Sequence, residues 1–553
     1  MNPLRARMKL GDFLVAYLQH IGATHLFGIP GDLVMRLFLR FGEKRGLKII
    51  TMSHEPGVGF AADGYARATG RLGVVCVTYG AGGHNMVNPV AGSFSERVPL
   101  LIISGGPGEE ERKLGVLIHH QAKEIESQFR IYQELTCAAR VIDAPPTAAD
   151  DIDAVVRAIW ANRRPGYLEI HRDMVEQVIA VPPRLLSWSG RLPERHSEPR
   201  NVREAARETA AWLNAARAPL IIAGIECHRY QQLDAVLELV ERSGAACATT
   251  ALSKGAIPMD HPQFMGVFIG EISPPAIRRR VARADVVVNL GTLLTDMDWM
   301  ARKPTMRRER SVWAVDDRVD VSFHSYNQVT LRDFLQALLA QPLKRHRERV
   351  RYADNLPAPP RRLGGAIKVT DLLLEVNRFL RGRRDLVVVA EAGDALFAGL
   401  DVRVEGRAAD LAQAYYASMG FGVPGAIGAQ IGTGKRTLVL CGDGAFQMTG
   451  PELAQAPRHG TNPIVLLINN AGWGIFRPVA DRHDLLEIPP WPYATLAQAW
   501  GGFGVRVSTV GDLRQGLIDA AAQQRFALIE AIIEPGSLSP VTKKYIAASV
   551  RER

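Results

Sequence analysis

No stretch of the 553-residue chain approaches the ~20 uninterrupted apolar residues that a bilayer crossing needs, so a membrane-spanning helix is not expected. Cysteine is scarce too. Cys76, Cys137, Cys227, Cys247 and Cys441 are scattered without CxxC or CxxH spacing, which argues against a zinc site and a disulfide framework and fits a reducing cytoplasm. The opening segment MNPLRARMKLGDFLVAYLQHIG has basic residues ahead of an apolar patch, but Gly11, Asp12, Gln19 and His20 interrupt it and no small-residue cleavage site follows. It reads as an amphipathic helix rather than a secretory leader. The formal charge of +10 gathers at Arg278, Arg279 and Arg280 and around Arg302, Lys303, Arg307, Arg308 and Arg310. Aromatic residues, only 7% of the chain, do not interleave these clusters, so a base-stacking platform is absent and no nucleic acid partner is expected. A solvated basic face is the reading.

What is present describes an ordinary globular protein, 47% hydrophobic and 22% charged, with room for three or four domains of ~150 residues. Two stretches rich in proline and charge, 182–204 and 341–365, lack helical or strand periodicity over most of their length. They divide the chain into blocks at 1–181, 205–340 and 366–553. Each block repeats a β-branched run, a glycine-containing turn and a helical stretch: GVVCVTYGAGGHNMVNPVAG in the first, DVVVNLGTLLTD in the second, TLVLCGDGAFQMTG in the third. Strands without polar alternation, separated by helices, imply parallel sheets buried on both faces. The expected fold class is α/β, with three doubly wound parallel-sheet domains whose ligand loops lie at the carboxyl ends of the strands.

The sharpest local signal is TLVLCGDGAFQMTG followed by PIVLLINNAGWG. A buried strand delivers Gly442, Asp443 and Gly444 into a loop ahead of a helix expected near Thr449. Glycines admit a phosphate close to the backbone, whose N–H groups attract it. The next strand ends in Asn469 and Asn470 at the same sheet edge. A carboxylate and an amide oxygen beside a phosphate loop form a hard ligand set suited to Mg²⁺.

GDG followed by NN at this distance resembles the cofactor motif of thiamine diphosphate enzymes, and the resemblance runs through the chain in that family's order of pyrimidine, middle and diphosphate domains. It implies that Asp443, the Asn470 side chain and the Gly472 carbonyl hold Mg²⁺. It also implies that Gly393 and Asp394 of EAGDA, Ala417 and Met419 of YASMG, and Gly442, Asp443, Gly444 and Ala445 contact thiamine diphosphate, with Met419 beneath its two rings. Glu55 in SHEPGVGFAADGYARATG matches the glutamate that contacts the pyrimidine nitrogen across a dimer interface, so a homodimer at minimum, and a homotetramer, are implied. The pair His119 and His120 in LIHHQ, with Asp32 in HLFGIPGD, resembles the proton relay of enzymes that decarboxylate 2-oxo acids without oxidation, phenylpyruvate and indolepyruvate decarboxylases most closely. Successive residues usually point in different directions, so the two imidazoles are expected to do different jobs.

One position departs from the pattern: where pyruvate decarboxylases carry a glutamate after NN, this chain has Phe476. An apolar pocket there favours an aromatic or large 2-oxo acid over pyruvate. The implied activity is a carboxy-lyase releasing aldehyde and CO₂ through a cofactor-bound enamine, in the cytoplasm. A carboligase forming 2-hydroxyketones and a catalytically silent binding homologue are the alternatives, the latter disfavoured by the presence of Glu55, Asp443 and Asn470. The middle block, flavoprotein-like by family position, lacks GxGxxG, so FAD is not expected there.

Overall fold

The β-branched runs form the central strands of three sheets. The computed structural model describes residues 3–43, 46–299, 306–348, 350–357, 363–406 and 410–550. Arg302 and Lys303 of the second basic cluster lie outside them. Among the described residues no helix is long and apolar enough to cross a membrane.

The chain divides into two compact units. The first runs to Glu194 and also takes in Val423–Gly434 and Thr449–Gly460. Its six-stranded sheet has the order Lys48–Ile50, His25–Gly28, Gly73–Val77, Leu100–Gly106, Gly166–His171, Ala139–Ile142, parallel throughout. Every residue of Gly73–Val77 and Leu100–Gly106 is buried, which is why these runs show no polar alternation. The chain order reverses between His25–Gly28 and Gly73–Val77, so the loops after these strands open at a topological switch point, where doubly wound sheets place their ligands.

In the same unit the helix Glu55–Thr69 meets the late segment at close range. A Cβ on Gly64 would overlap the backbone of Gly425, and one on Gly428 would overlap the Ala61 carbonyl. Small residues on both sides let the two backbones touch.

The second unit holds the other two large sheets. The carboxyl-terminal sheet has six parallel strands, ordered Asp410–Ala412, Leu386–Ala390, Arg436–Gly442, Ile464–Asn469, Ala527–Ile532, Phe503–Val507. Gly442 pairs with Ile468, so the GDG loop and the NN loop leave the sheet at one level. The helix there starts at Asp443, not near Thr449 as the sequence suggests. It spans Asp443–Thr449 and gives way to 3₁₀ turns from Gly450, where Pro451 cannot supply a helical N–H.

The middle sheet is mostly parallel, as expected, with an antiparallel rim. Five strands, Phe264–Phe268, Ala246–Thr250, Pro219–Ala223, Val286–Leu290 and Ser311–Val315, are parallel, but Arg318–Val321 and His324–Asn327 add as antiparallel hairpins. The first hairpin turns on Asp316 and Asp317, both at positive φ (54° and 56°), the two-residue turn whose twist matches paired strands. Arg280 of the basic run is ion-paired with Glu348 at 2.6 Å and donates to the Pro219 carbonyl, and Arg278 pairs with Glu271. Cys227 is buried with its thiol on the Leu290 carbonyl and its pKa pushed up to about 12 by burial, the environment of a packing residue.

Candidate active site

At the edge of the first sheet, Ile118, His119, His120 and Gln121 form a tight turn. The Gln121 N–H donates to the Ile118 carbonyl at 3.0 Å, and the Ile118 N–H returns to the Gln121 side chain. His120 sits at φ 68°, a left-handed conformation uncommon for a side-chain-bearing residue. This reverses the usual divergence of neighbours. His119 Nε2 is hydrogen-bonded to Asp32 Oδ2, and His120 Nε2 lies 3.7 Å from Asp32 Oδ1, so both imidazoles converge on one carboxylate. Asp32 also accepts from Thr78 Oγ1 at 3.4 Å. Desolvation pushes its pKa upward, but the His119 hydrogen bond, the Leu33 N–H and the two imidazole charges together hold it below the usual carboxylate value.

The turn rests on groups the sequence did not advertise. Gly80, at φ 67°, packs so tightly under the His120 carbonyl that a Cβ would overlap it. The Gly80 N–H donates to the buried Gln128 side chain at 2.7 Å; Gln128 donates in turn to Ser104 and to the Tyr167 hydroxyl, which donates to Glu169. Burial pushes the Glu169 carboxyl up to about 7.

Glu55 opens the helix Glu55–Thr69, with Asn85 donating to its Oε2 at 3.1 Å. Its side chain is 16% exposed. The helix start is held by Glu452, whose carboxylate accepts the N–H groups of Ser53 (2.8 Å) and His54 (3.0 Å). A side chain on Gly57 would strike that carboxylate. The segment Thr78 to Asn85 therefore contacts Asp32 at one end and Glu55 at the other.

In the second unit, Asp443 is 2% exposed and accepts the N–H groups of Gly444 (2.9 Å) and Gly472 (3.2 Å), while burial pushes its carboxyl up to about 6. The two asparagines separate cleanly. Asn469 is consumed by the fold: its amide donates to Glu530 at 2.9 Å and its oxygen accepts from Ala471. Asn470 Oδ1 is buried with no hydrogen-bond partner among the described residues. A buried carbonyl oxygen left open beside a buried carboxylate suits a hard cation. The Gly472 carbonyl accepts from Gly474 at 2.8 Å and retains a second lone pair.

The other loops named from the sequence gather around Glu391. Its buried carboxylate accepts the N–H groups of Ala392, Gly420 and Gly422, tying EAGDA to YASMG. Ala417 lies at φ 53° and Gly393 at φ 88°. Met419 is partly buried and Ala445 is buried, whereas the Asp394 side chain accepts the N–H of Ser539, at the start of the helix Pro540–Val550. Phe476, in the turn Gly474–Phe476, is 54% exposed.

Burial raises the Glu391 carboxyl to about 7 against the N–H groups donated by Gly422, Ala392, Gly420 and Phe421. The unfolded carboxyl releases its proton near 4.5 and the folded one only near 7, so this group's contribution to stability is complete below pH 4.5 and is lost as pH rises through 7. Thermal unfolding between pH 5 and 8 is expected to show Glu391→Gln with a flatter pH dependence than wild type and a lower Tm at pH 5. Equal slopes would contradict this.

Three matches agree with the geometry. The thiamine pyrophosphate enzyme N-terminal TPP binding domain matches residues 8–131, the central domain residues 206–338 and the C-terminal TPP binding domain residues 391–531. The chain belongs to the thiamine pyrophosphate enzyme family. Within it the chain is a thiamine diphosphate-dependent 2-oxo acid decarboxylase by its relatives. It is 37% identical over 552 residues to the indole-3-pyruvate decarboxylase of Azospirillum brasilense, covering 98% of this chain and 99% of that protein. It is 29% identical over 511 residues to pyruvate decarboxylase 3 of Oryza sativa subsp. indica, covering 90% and 85%. To pyruvate decarboxylase 1 of Pisum sativum it is 28% identical over 545 residues, covering 96% and 90%.

Proposed function

We propose that this enzyme decarboxylates an aromatic 2-oxo acid of the indole-3-pyruvate or phenylpyruvate type to the aldehyde. The observation that carries the reading is the convergence of His119 and His120 on Asp32 beside the loop that leads to Glu55. Thiamine diphosphate, when bound, supplies the sink for the electrons left by CO₂.

The chain's own residues do the rest. Asp443, the open Asn470 Oδ1 and the Gly472 carbonyl would hold Mg²⁺ against the diphosphate. Gly393, Asp394, Ala417, Met419, Gly442, Gly444 and Ala445 would line the cofactor loops. Glu55, fixed by Asn85, holds a proton at the pyrimidine nitrogen. The imidazole Nε2 atoms, anchored by an ionised Asp32, pass a proton to the carbon that has lost CO₂. Phe476 supplies an apolar wall where an acid would favour pyruvate. The active unit is at least a homodimer, within a homotetramer, in the cytoplasm.

Aldehyde release from indole-3-pyruvate, phenylpyruvate and pyruvate, each with and without thiamine diphosphate and Mg²⁺, checks this directly. Aldehyde is expected only with both cofactors and with a higher kcat/KM for the aryl acids. A preference for pyruvate would overturn the substrate reading, and a hydroxyketone as main product would replace the lyase with a carboligase.

A further inference from the structure

We infer that Asp32, His119 and His120 also form a binding site for a borderline divalent transition metal of the Zn²⁺ or Co²⁺ type, distinct from the oxygen-lined set at Asp443. One ligand atom from each of the three residues lies within 4.8 Å of the other two. The imidazole rings are 4.9 Å apart and tilted by 55°, so they do not stack face to face, and both Nε2 atoms are directed at the carboxylate. Two imidazoles and one carboxylate with ligand atoms this close together are the kind of donor set that nitrogen-preferring metals occupy.

Exposure completes the site. The side chains of His119, His120 and Asp32 are 55%, 35% and 47% exposed, leaving room for water at the remaining coordination positions. Bonds of ~2.0–2.2 Å require the direct His119–Asp32 hydrogen bond to open and give up its proton while His120 draws in from 3.7 Å, and exposed side chains can do both by small rotations. The backbone beneath them is already fixed by the Ile118–Gln121 turn, the Gly80 seat and the Thr78 bond to Asp32. Mg²⁺ is a poor competitor, because it demands a nearly complete oxygen shell and this set is mostly nitrogen. Occupancy would take the Nε2 lone pairs away from proton transfer, so the metal would act as a reversible inhibitor. The binding itself does not depend on the reaction proposed above.

The test uses the full chain saturated with thiamine diphosphate and excess Mg²⁺. Titration with Co²⁺, followed by its visible absorption, is expected to give one tight equivalent per chain, with Zn²⁺ displacing it and Mg²⁺ not. In His119→Gln and His120→Gln the affinity should fall by about a hundredfold, at least the loss seen when even an outer partner of a metal ligand is removed. Zn²⁺ should inhibit turnover, and Mg²⁺-loaded EDTA should restore it by exchange. Wild-type Co²⁺ affinity in both variants, or displacement of Co²⁺ by Mg²⁺, would overturn the site whatever substrate the enzyme proves to use.

Discussion

Glu55→Gln is expected to lower kcat by about three orders of magnitude, within the range that a positioned acid contributes, while the cofactor still binds. The substitution keeps the shape of the side chain and its contact with Asn85, and it leaves the Glu452 support on Ser53 and His54 untouched. What is lost is the ability to hold and release a proton. Binding should be read separately, by quenching of tryptophan fluorescence or by circular dichroism on addition of thiamine diphosphate, and should change by less than about tenfold. A variant that retained more than about a tenth of wild-type kcat would remove Glu55 from the catalytic group. One that neither bound cofactor nor unfolded cooperatively would show that its role at the helix start is structural.

Asp32→Asn should have the second largest effect, with kcat falling by about a hundredfold to a thousandfold. The carboxylate anchors both imidazoles at once, so its loss should resemble the loss of the pair and not of one ring. The variants His119→Gln, His120→Gln and the double variant should accordingly be strongly non-additive, with the double variant little worse than either single one. The proposed relay acts after CO₂ departs, so single-turnover experiments on Asp32→Asn should show CO₂ released at a near-normal rate and aldehyde delayed. Equal slowing of both would place Asp32 before the bond-breaking step.

The central strands could be read from sequence because parallel strands buried on both faces must be unbroken apolar runs, as GVVCV and LVVVA are. The GDG and NN loops were equally plain, since their chemistry is concentrated in adjacent residues. The supports were not. Glu452 is separated from Ser53 by 399 positions, and Gln128 from Gly80 by 48, so no local spacing announces either contact. The convergence of the histidines depends on a single dihedral at His120, which a residue identity does not encode. Asp443 reads from the sequence as a loop residue ahead of a helix but opens the helix itself, because a strand end and a helix start share glycine and aspartate alike. The antiparallel rim of the middle sheet has a readable signal, the paired Asp316 and Asp317 that form its turn.

The first unit borrows Val423–Gly434 and Thr449–Gly460 from far along the chain, and the helix that begins at Glu55 packs against the first of these. During synthesis the amino-terminal third therefore waits on the ribosome for hundreds of residues before its own partners emerge. Its glycine-lined helix face stays open meanwhile, and such exposed apolar surface is what chaperones bind and what aggregates when they do not. Cutting the gene at either proline-rich seam would strand the same surface permanently, so a separately expressed amino-terminal fragment is a poor candidate for a stable protein.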